Sequence, residues 1–148
     1  ARDGLRAAGL RALKIISPLQ MYASTENRRE WIHALDHCAA IDAVLQRGRV
    51  GETYHVGTGV EKSIEEIADA VLAELGKPSD LKTIIPDRPG HDRRYSLSSE
   101  KMADLGWTAK VGFAEGLAGT VDWYRKNAWW WGPIRHGKYR GGRLGSAA

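Results

Sequence analysis

Residues 52–76 read ETYHVGTGVEKSIEEIADAVLAELG, and this stretch predicts a strand, a glycine turn and a helix in succession. Glu52–Val56 is rich in residues that favour strands, and it precedes a Gly-Thr-Gly turn. Ser63 and Glu66 then stand three residues apart, which is the spacing of a capping box at the start of a helix. Apolar residues follow at helical spacing as far as Gly76, a helix stop. They are Ile64, Ile67, Ala68, Val71, Leu72 and Leu75.

The same alternation of short strands and helices extends along the rest of the chain. It favours a mixed α/β fold with too few buried strands for a full doubly wound sheet. The other strands are predicted at Leu19–Tyr22, Trp31–Ala34, Lys82–Ile85 and Arg94–Leu97. The other helices are predicted at residues 1–16, at His37–Gln46, from Ser98 or Ser99 to Leu105, and from Phe113 to about Asn127.

The helix His37–Gln46 has a predicted N-cap and a predicted inner face. Asp36 is the expected N-cap, because a carboxylate there accepts hydrogen bonds from the free amides of the first turn. His37 is expected to pack or cap behind Asp36. The residues at helical spacing that predict the inner face are Cys38, Ile41, Val44 and Leu45.

The chain has 148 residues and a mass of 16.3 kDa, and 43% of its residues are hydrophobic. This is the length of one domain, which can fold around a core without disulfides. No run approaches the roughly 18 apolar residues of a membrane helix, and no leader-peptide pattern is seen. The single cysteine, Cys38, excludes an internal disulfide and a cysteine-rich zinc site. We therefore expect a cytoplasmic domain that does not enter membranes.

The formal net charge is +4, from 22 Lys and Arg against 18 Asp and Glu. The whole excess lies in the Gly-rich tail 132–148, which holds four of the basic residues and no acidic one, so we expect this tail to be disordered. An alternative function is a basic nucleic-acid-binding module that uses the tail and the tryptophans. The neutral body, with 18 residues of each sign, argues against nucleic acid as a partner. The tryptophans expected to pack at the end of the last helix are Trp123, Trp129 and Trp130.

Motifs for cofactors, catalysis and metals fail at specific positions. The turn Gly57–Gly59 lies between a strand and a helix, as a dinucleotide fingerprint does, but Lys62 stands where the third glycine is required. No tyrosine has a lysine four residues later, so the proton-transfer pair of short-chain reductases is absent from this sequence. His33 and His37 have the spacing of two metal ligands, but no third ligand is evident. We therefore predict no catalytic residue, no bound NAD and no metal in this chain.

The loop Pro86–Asp92 is the sharpest candidate site. Its central Pro-Gly pair predicts a tight turn that brings Arg88 and His91 to neighbouring positions. The arginine fork and an imidazole are suitable donors for a phosphate group. From the residues alone, a solvated charged turn is an equally good interpretation, and the same two alternatives hold for Arg28 and Arg29.

Five blocks of sequence occur in order, at Arg29–His37, Gly51–Gly57, Asp87–Tyr95, Leu105–Trp107 and Trp123–Trp130. Together they resemble the C-terminal part of the dTDP-glucose 4,6-dehydratases, a family of extended short-chain dehydrogenases/reductases that act on nucleotide sugars. The resemblance runs from about Pro18 to Trp131, and the loop Arg88–Asp92 is its most specific piece.

The resemblance implies a nucleotide-sugar-binding domain over 18–131, with a poorly matching segment over 1–17. In this family a Rossmann half, which this chain does not resemble, binds NAD and carries the catalytic residues. A dTDP-sugar is then the implied ligand, and a Rossmann half supplied by another chain is an implied partner. The implied activity is conversion of dTDP-glucose to dTDP-4-keto-6-deoxyglucose with NAD, and this chain alone is expected to be inactive. Apolar surface that normally faces the Rossmann half would make it marginally stable or self-associating.

Four substrate-binding residues follow from the resemblance, position by position. They are Arg29 and Arg88 on the diphosphate, His91 beside them, and Tyr22 near the base. Three departures bear on the nucleotide: Ala23–Thr25 replaces the usual Gly-Asp-Gly, His55 replaces a frequent asparagine, and Ile64 replaces an asparagine that contacts the nucleotide. A related NAD-dependent nucleotide-sugar epimerase or dehydratase is therefore an alternative.

Overall fold

A computed structural model describes residues 18–136 of the chain. The helix predicted over 1–16 and most of the tail predicted to be disordered lie outside these residues. The described residues divide into two compact units, one ending at Ala118 and the other beginning at Gly119. None of the described helices is both long enough and apolar enough to cross a membrane.

Two pairs of short strands organise the first unit. Strand β1, Leu19–Tyr22, pairs in parallel with β4, Lys82–Ile85, and this confirms both predicted strands. Strand β2, Arg28–Glu30, pairs antiparallel with β3, Glu61–Ser63. The parallel pair has its two carboxyl ends at one edge, so the loops that follow β1 and β4 begin side by side.

Three of the predicted strands are wrong in whole or in part. Trp31–Ala34 is not a strand: β2 ends one residue before it, at Glu30, and a helix begins at Ala34, the last residue of the predicted strand. Arg94–Leu97 forms only an isolated bridge between Arg94 and Arg28. Glu52–Val56 is not a strand either, because no other segment within residues 18–136 forms backbone strand hydrogen bonds with it.

Helix α1, Ala34–Arg47, begins earlier than predicted, and His33 is its N-cap in place of Asp36. The His33 ring accepts a hydrogen bond from the Leu35 amide at 3.3 Å. Asp36 lies buried in the first turn, where its carboxylate accepts hydrogen bonds from the amides of Lys110 and Val111 at 3.1 and 2.9 Å. Asp36, the predicted N-cap, therefore makes a tertiary contact instead of capping the helix.

The inner face of α1 also differs from the prediction. Ala40 and Ala43 are buried against Met102 and Trp107, and these four residues form the main core cluster. Small residues face this core because α1 packs close to it, so the larger apolar residues turn outward. Val44 is half-buried, as predicted. The other three residues predicted inside, Cys38, Ile41 and Leu45, are exposed, and His37 is exposed as well.

Helix α2, Ile64–Glu74, has the predicted capping box. The Ser63 hydroxyl accepts from the Glu66 amide at 3.1 Å, and the Glu66 carboxylate accepts from the Ser63 amide at 2.8 Å. Ala68 and Leu72 are buried on the predicted inner face. A 3₁₀ turn at Ser79–Leu81 then leads into β4.

The remaining helices are α3, Glu100–Asp104, α4, Phe113–Lys126, and α5, Ala128–His136. Since α5 includes the start of the Gly-rich tail, the disorder predicted from residue 132 does not begin there. The Trp131 indole, which donates to the Tyr124 carbonyl at 2.9 Å, ties α5 to the preceding helix. Trp123 and Trp130 meet edge to face at 5.4 Å, but Trp129, expected to pack, is 73% exposed.

Candidate functional site

The loop between β4 and Arg94 folds back on itself through a turn at Gly90, whose φ is +67°. Only glycine adopts such a backbone angle without strain. The turn brings His91 back to Asp87: the imidazole Nδ1 lies 2.7 Å from the Asp87 carboxylate. The same carboxylate oxygen accepts from the Arg88 amide at 2.9 Å. The loop is therefore ordered by its own side chains.

The loop after β1 meets this turn at His91. The Ser24 hydroxyl lies 2.8 Å from Nδ1 of His91, and the Tyr22 ring contacts the imidazole edge-on at a centroid distance of 5.3 Å. The His91 side chain keeps 10% of its surface exposed. Tyr22 and His91, both predicted in the site, are thus brought into contact.

The Asp87 carboxylate and the Ser24 hydroxyl both contact Nδ1 of His91. A hydrogen bond from Ser24, and next the hydrogen bond with His91, lower the pKa of the Asp87 carboxyl. An ionised carboxylate only accepts hydrogen bonds, so the bond with Asp87 requires a proton on Nδ1. Nδ1 is thus engaged within the protein, and Nε2 is the remaining ring nitrogen.

Arg29 approaches the same loop from β2. Its Nη2 donates to the carbonyl oxygen of Asp92 at 2.8 Å, and its Nη1 donates to the carbonyl oxygen of Arg28 at 2.7 Å. The guanidinium carbon lies 4.4 Å from the centroid of the Tyr95 ring. Both hydrogen-bond acceptors are neutral peptide oxygens, so they leave the charge of Arg29 uncompensated.

Arg88 is exposed on the same loop. Within residues 18–136, its guanidinium forms no hydrogen bond and no ion pair. The hydrogen bond to Asp92 and burial raise the pKa of the Tyr95 phenol, whereas the charges of Arg29 and Arg88 oppose this rise. Both cations therefore lie within electrostatic reach of one phenol.

The structure thus brings Tyr22 to His91, and it brings Arg29 to the loop that holds Arg88. Sequence reasoning gave no role to three further participants, Ser24, Asp92 and Tyr95. The only signal for them was their position beside the predicted residues, because each acts through a contact with a distant part of the chain.

A cavity of about 130 Å³ lies next to Arg29 and Tyr95. Glu30 lines it, but its carboxylate is occupied by the amides of Gly59 and Leu97 at 2.5 and 3.0 Å. The remaining lining residues are mostly apolar: Ile32, Val56, Gly57 and Leu97.

The Gly57–Gly59 turn does not fit the diphosphate of a dinucleotide. The Gly57 amide donates to the Ser99 hydroxyl at 2.7 Å, and the Gly59 amide donates to Glu30. A Cβ at Gly57 would lie 2.4 Å from the Glu30 carboxylate, so this side of the turn is already filled. The part of the chain that the structure describes also holds no cluster of three metal-ligating side chains.

Comparison with known proteins gives one family over most of the chain. The family model for GDP-mannose 4,6 dehydratase matches residues 11–120. The dTDP-glucose 4,6-dehydratase of Streptomyces niveus is 47% identical over 116 residues, which are 78% of this chain and 34% of that protein. The same enzyme of Xanthomonas campestris is 42% identical over 139 residues. The chain therefore spans 34–40% of the length of these relatives.

Solved structures show the same fold. DesIV, a dTDP-glucose 4,6-dehydratase from Streptomyces venezuelae solved with NAD and TYD bound, superposes with a TM-score of 0.78 at 42% identity, over 86% of this chain and 40% of that one. UDP-glucose 4-epimerase from Thermotoga maritima gives a TM-score of 0.71 at 25% identity, over 84% of this chain and 40% of that one. The predicted mixed α/β fold is confirmed. On this evidence the chain belongs to the GDP-mannose 4,6 dehydratase family.

Proposed function

We propose that this chain is the nucleotide-sugar-binding part of a dTDP-glucose 4,6-dehydratase, and that it holds the diphosphate of a dTDP-sugar. The complete enzyme would convert dTDP-glucose to dTDP-4-keto-6-deoxyglucose. The relatives named above support this activity, since they share 42–47% of the aligned residues.

One observation carries the proposal: two guanidinium groups without a carboxylate partner among residues 18–136 lie within electrostatic reach of Tyr95. Arg29 and Arg88 supply these groups, and His91 stands on the same loop with Nδ1 already engaged. Guanidinium groups pair with phosphate oxygens through two parallel hydrogen bonds, and a diphosphate offers oxygens to both arginines. Tyr22, packed on the His91 ring, is positioned to border the base of the nucleotide.

The chain's own part in the reaction is to bind and orient the nucleotide. NAD supplies the hydride chemistry in this family, and the described residues do not fit it, so we assign no step to it here. The sequence also lacks a tyrosine followed four residues later by a lysine. We propose that the proton-transfer pair comes from residues beyond these 148, in the same polypeptide or in a partner chain.

A UDP-sugar epimerase is the second candidate, favoured by the structural similarity to the Thermotoga maritima enzyme. Ile64 also cannot offer a hydrogen bond to a nucleotide. The two candidates differ in the nucleotide, so titration with dTDP and with UDP separates them.

The test is calorimetry of the chain with dTDP and with UDP, repeated for Arg88→Ala. Charge-assisted hydrogen bonds contribute about 1.5–3 kcal/mol each, so Arg88→Ala should weaken dTDP binding by roughly 10-fold to 150-fold. Arg94→Ala is the matched control, because it removes the same charge from the same loop but takes it from an ion pair with Glu61. Absence of binding by the unaltered chain, or equal binding by Arg88→Ala, contradicts the proposal. Tighter binding of UDP favours the epimerase.

A further inference from the structure

We propose that Tyr95, held by Asp92, is the residue that positions Arg29 for the diphosphate. This inference rests on the proposed function and deepens it. It assigns Tyr95 no contact with the ligand, because its ring covers the arginine and does not face an anion.

The guanidinium of Arg29 is fixed on one face and on two edges. The Tyr95 ring lies 4.4 Å below it, within the range of about 6 Å for a cation–π contact. The peptide oxygens of Arg28 and Asp92 accept from Nη1 and Nη2 at 2.7 and 2.8 Å. An arginine has five N–H donors, so three of them are left without a partner within residues 18–136. The ring and the two oxygens thus set the plane of the fork before a ligand arrives.

Tyr95 is itself fixed by the same two residues. Its hydroxyl donates to the Asp92 carboxylate, and its amide donates to the Arg28 carbonyl at 3.2 Å. Arg28 in turn donates its amide to the Arg93 carbonyl at 2.8 Å. The groups that contact Arg29 are therefore themselves fixed by hydrogen bonds, and these bonds connect β2 to the loop.

Asp92 performs two tasks that are separable by mutation. Its peptide oxygen binds Arg29, whereas its carboxylate binds the phenol of Tyr95. The carboxylate is thereby engaged with a neutral group and does not form an ion pair with Arg29. An anion that approaches an arginine stacked on a ring and bonded to peptide oxygens meets a net positive charge. When the arginine is paired with a carboxylate, the negative charge of the carboxylate offsets it.

The experiment measures dTDP affinity by calorimetry for Tyr95→Leu, Tyr95→Phe and Arg29→Ala, and for Tyr95→Leu combined with Arg29→Ala. We expect Tyr95→Leu to weaken binding about fivefold, because the exposed cation–π contact and the order of the arginine are lost. Tyr95→Phe keeps the ring but loses the hydrogen bond to Asp92, so its affinity should fall by about twofold, less than that of Tyr95→Leu. When Arg29 is already replaced by alanine, Tyr95→Leu should not weaken dTDP binding any further, because Tyr95 acts only by positioning Arg29.

A general disturbance of the loop would weaken binding equally in both backgrounds, and that result overturns the inference. Tyr124→Leu is the matched control, since Tyr124 and Tyr95 are similarly exposed, at 46% and 51%. If Tyr95→Leu does not fold, Asp92→Ala replaces it: that variant keeps the peptide oxygen on Arg29 and removes the acceptor of the phenol. Its affinity should fall about twofold, and an unchanged affinity contradicts the role of Asp92.

The two proposals fail in distinguishable ways. Failure of the unaltered chain to bind dTDP, or full binding by Arg88→Ala, overturns the proposed function together with this inference. A strong effect of Arg88→Ala with an unchanged affinity of Tyr95→Leu overturns only the role of Tyr95.

Discussion

Two arginines of strand β2 and two of the loop that follows β4 divide into pairs with opposite electrostatic situations. Arg28 and Arg94 converge on Glu61: Arg94 meets both oxygens of this carboxylate at 2.5 and 2.7 Å. Arg28 lies 4.0 Å from the Glu61 carboxylate and 3.4 Å from Glu66. Arg29 and Arg88, by contrast, form no ion pair within residues 18–136. One pair of arginines forms ion pairs within the fold, and the other pair is the one that our proposal assigns to the diphosphate.

The difference arises at neighbouring positions of one strand. Successive side chains of a strand point to opposite faces, so Arg28 and Arg29 cannot share a partner. β3 lies along one edge of β2 and places Glu61 on the face of Arg28. The segment 93–95 lies along the other edge, where the Asp92 carbonyl accepts from Arg29. The number of arginines in a segment therefore says little about anion binding until the carboxylates that face them are known.

Removing both Arg29 and Arg88 is the strongest test of this division. Arg29→Ala combined with Arg88→Ala should weaken dTDP binding by about 100-fold or more, since each loses charge-assisted hydrogen bonds. Calorimetry measures the loss, and Arg28→Ala combined with Arg94→Ala is the control with an identical change in charge. If the two double variants lost dTDP affinity to a similar extent, the two pairs of arginines would not differ in their role in binding.

A conservative substitution sharpens the same point. Arg29→Lys keeps the positive charge but loses the planar fork and its stacking on Tyr95, so we expect about a tenfold weaker affinity for dTDP. Arg28→Lys, measured alongside, should bind dTDP as the unaltered chain does. Retention of full affinity by Arg29→Lys would mean that charge alone matters at this position.

The paired arginines should show their effect in the pH dependence of stability. A hydrogen bond from Arg94, and its charge, lower the pKa of Glu61 below the ordinary value of 4.5. The unfolded chain then binds a proton before the folded chain does as the pH falls. The stabilisation from Glu61 is complete above about pH 4.5 and is lost as the pH falls through the lowered pKa of the folded state. Urea unfolding between pH 6 and pH 3 should show this loss, and Glu61→Gln should show a flatter profile.

The smallest expected effect is that of Glu61→Gln on ligand binding. This change removes the carboxylate that pairs with Arg94 and one of the two beside Arg28, both on the opposite face of β2 from Arg29. Salt screens exposed charges over about 8 Å. The affinity for dTDP at physiological salt should therefore change by less than about twofold. A large gain in affinity would show that Arg28 or Arg94 also reaches the diphosphate.

Local signals made part of this structure predictable. The Ser63–Glu66 box and the helical spacing behind it predicted α2, and the Pro-Gly pair predicted the turn at Gly90 that separates Arg88 from His91. These features depend on residues a few positions apart. The inner face of α1 was mispredicted because it depends on Met102 and Trp107, which are about 60 residues away in sequence.

The division of the arginines was not predictable for the same reason. Arg28 and Arg29 have the same side chain and adjacent positions, and only the pairing of β2 with β3 brings Glu61 to one of them. Tyr95 was likewise read as part of a strand, whereas its ring is a platform for Arg29. Sequence therefore indicated candidate anion-binding residues, but the fold decides which of them are free of a carboxylate partner among residues 18–136.

The buried carboxylate of Asp36 has a consequence for the slow opening motions of the chain. It ties the first turn of α1 to two amides, those of Lys110 and Val111, that lie outside any helix or strand. Loop amides usually exchange with solvent quickly, and these two are held across 74 and 75 residues of chain. In deuterium exchange they should behave as core amides, and should be released together when α1 detaches from the segment leading into α4.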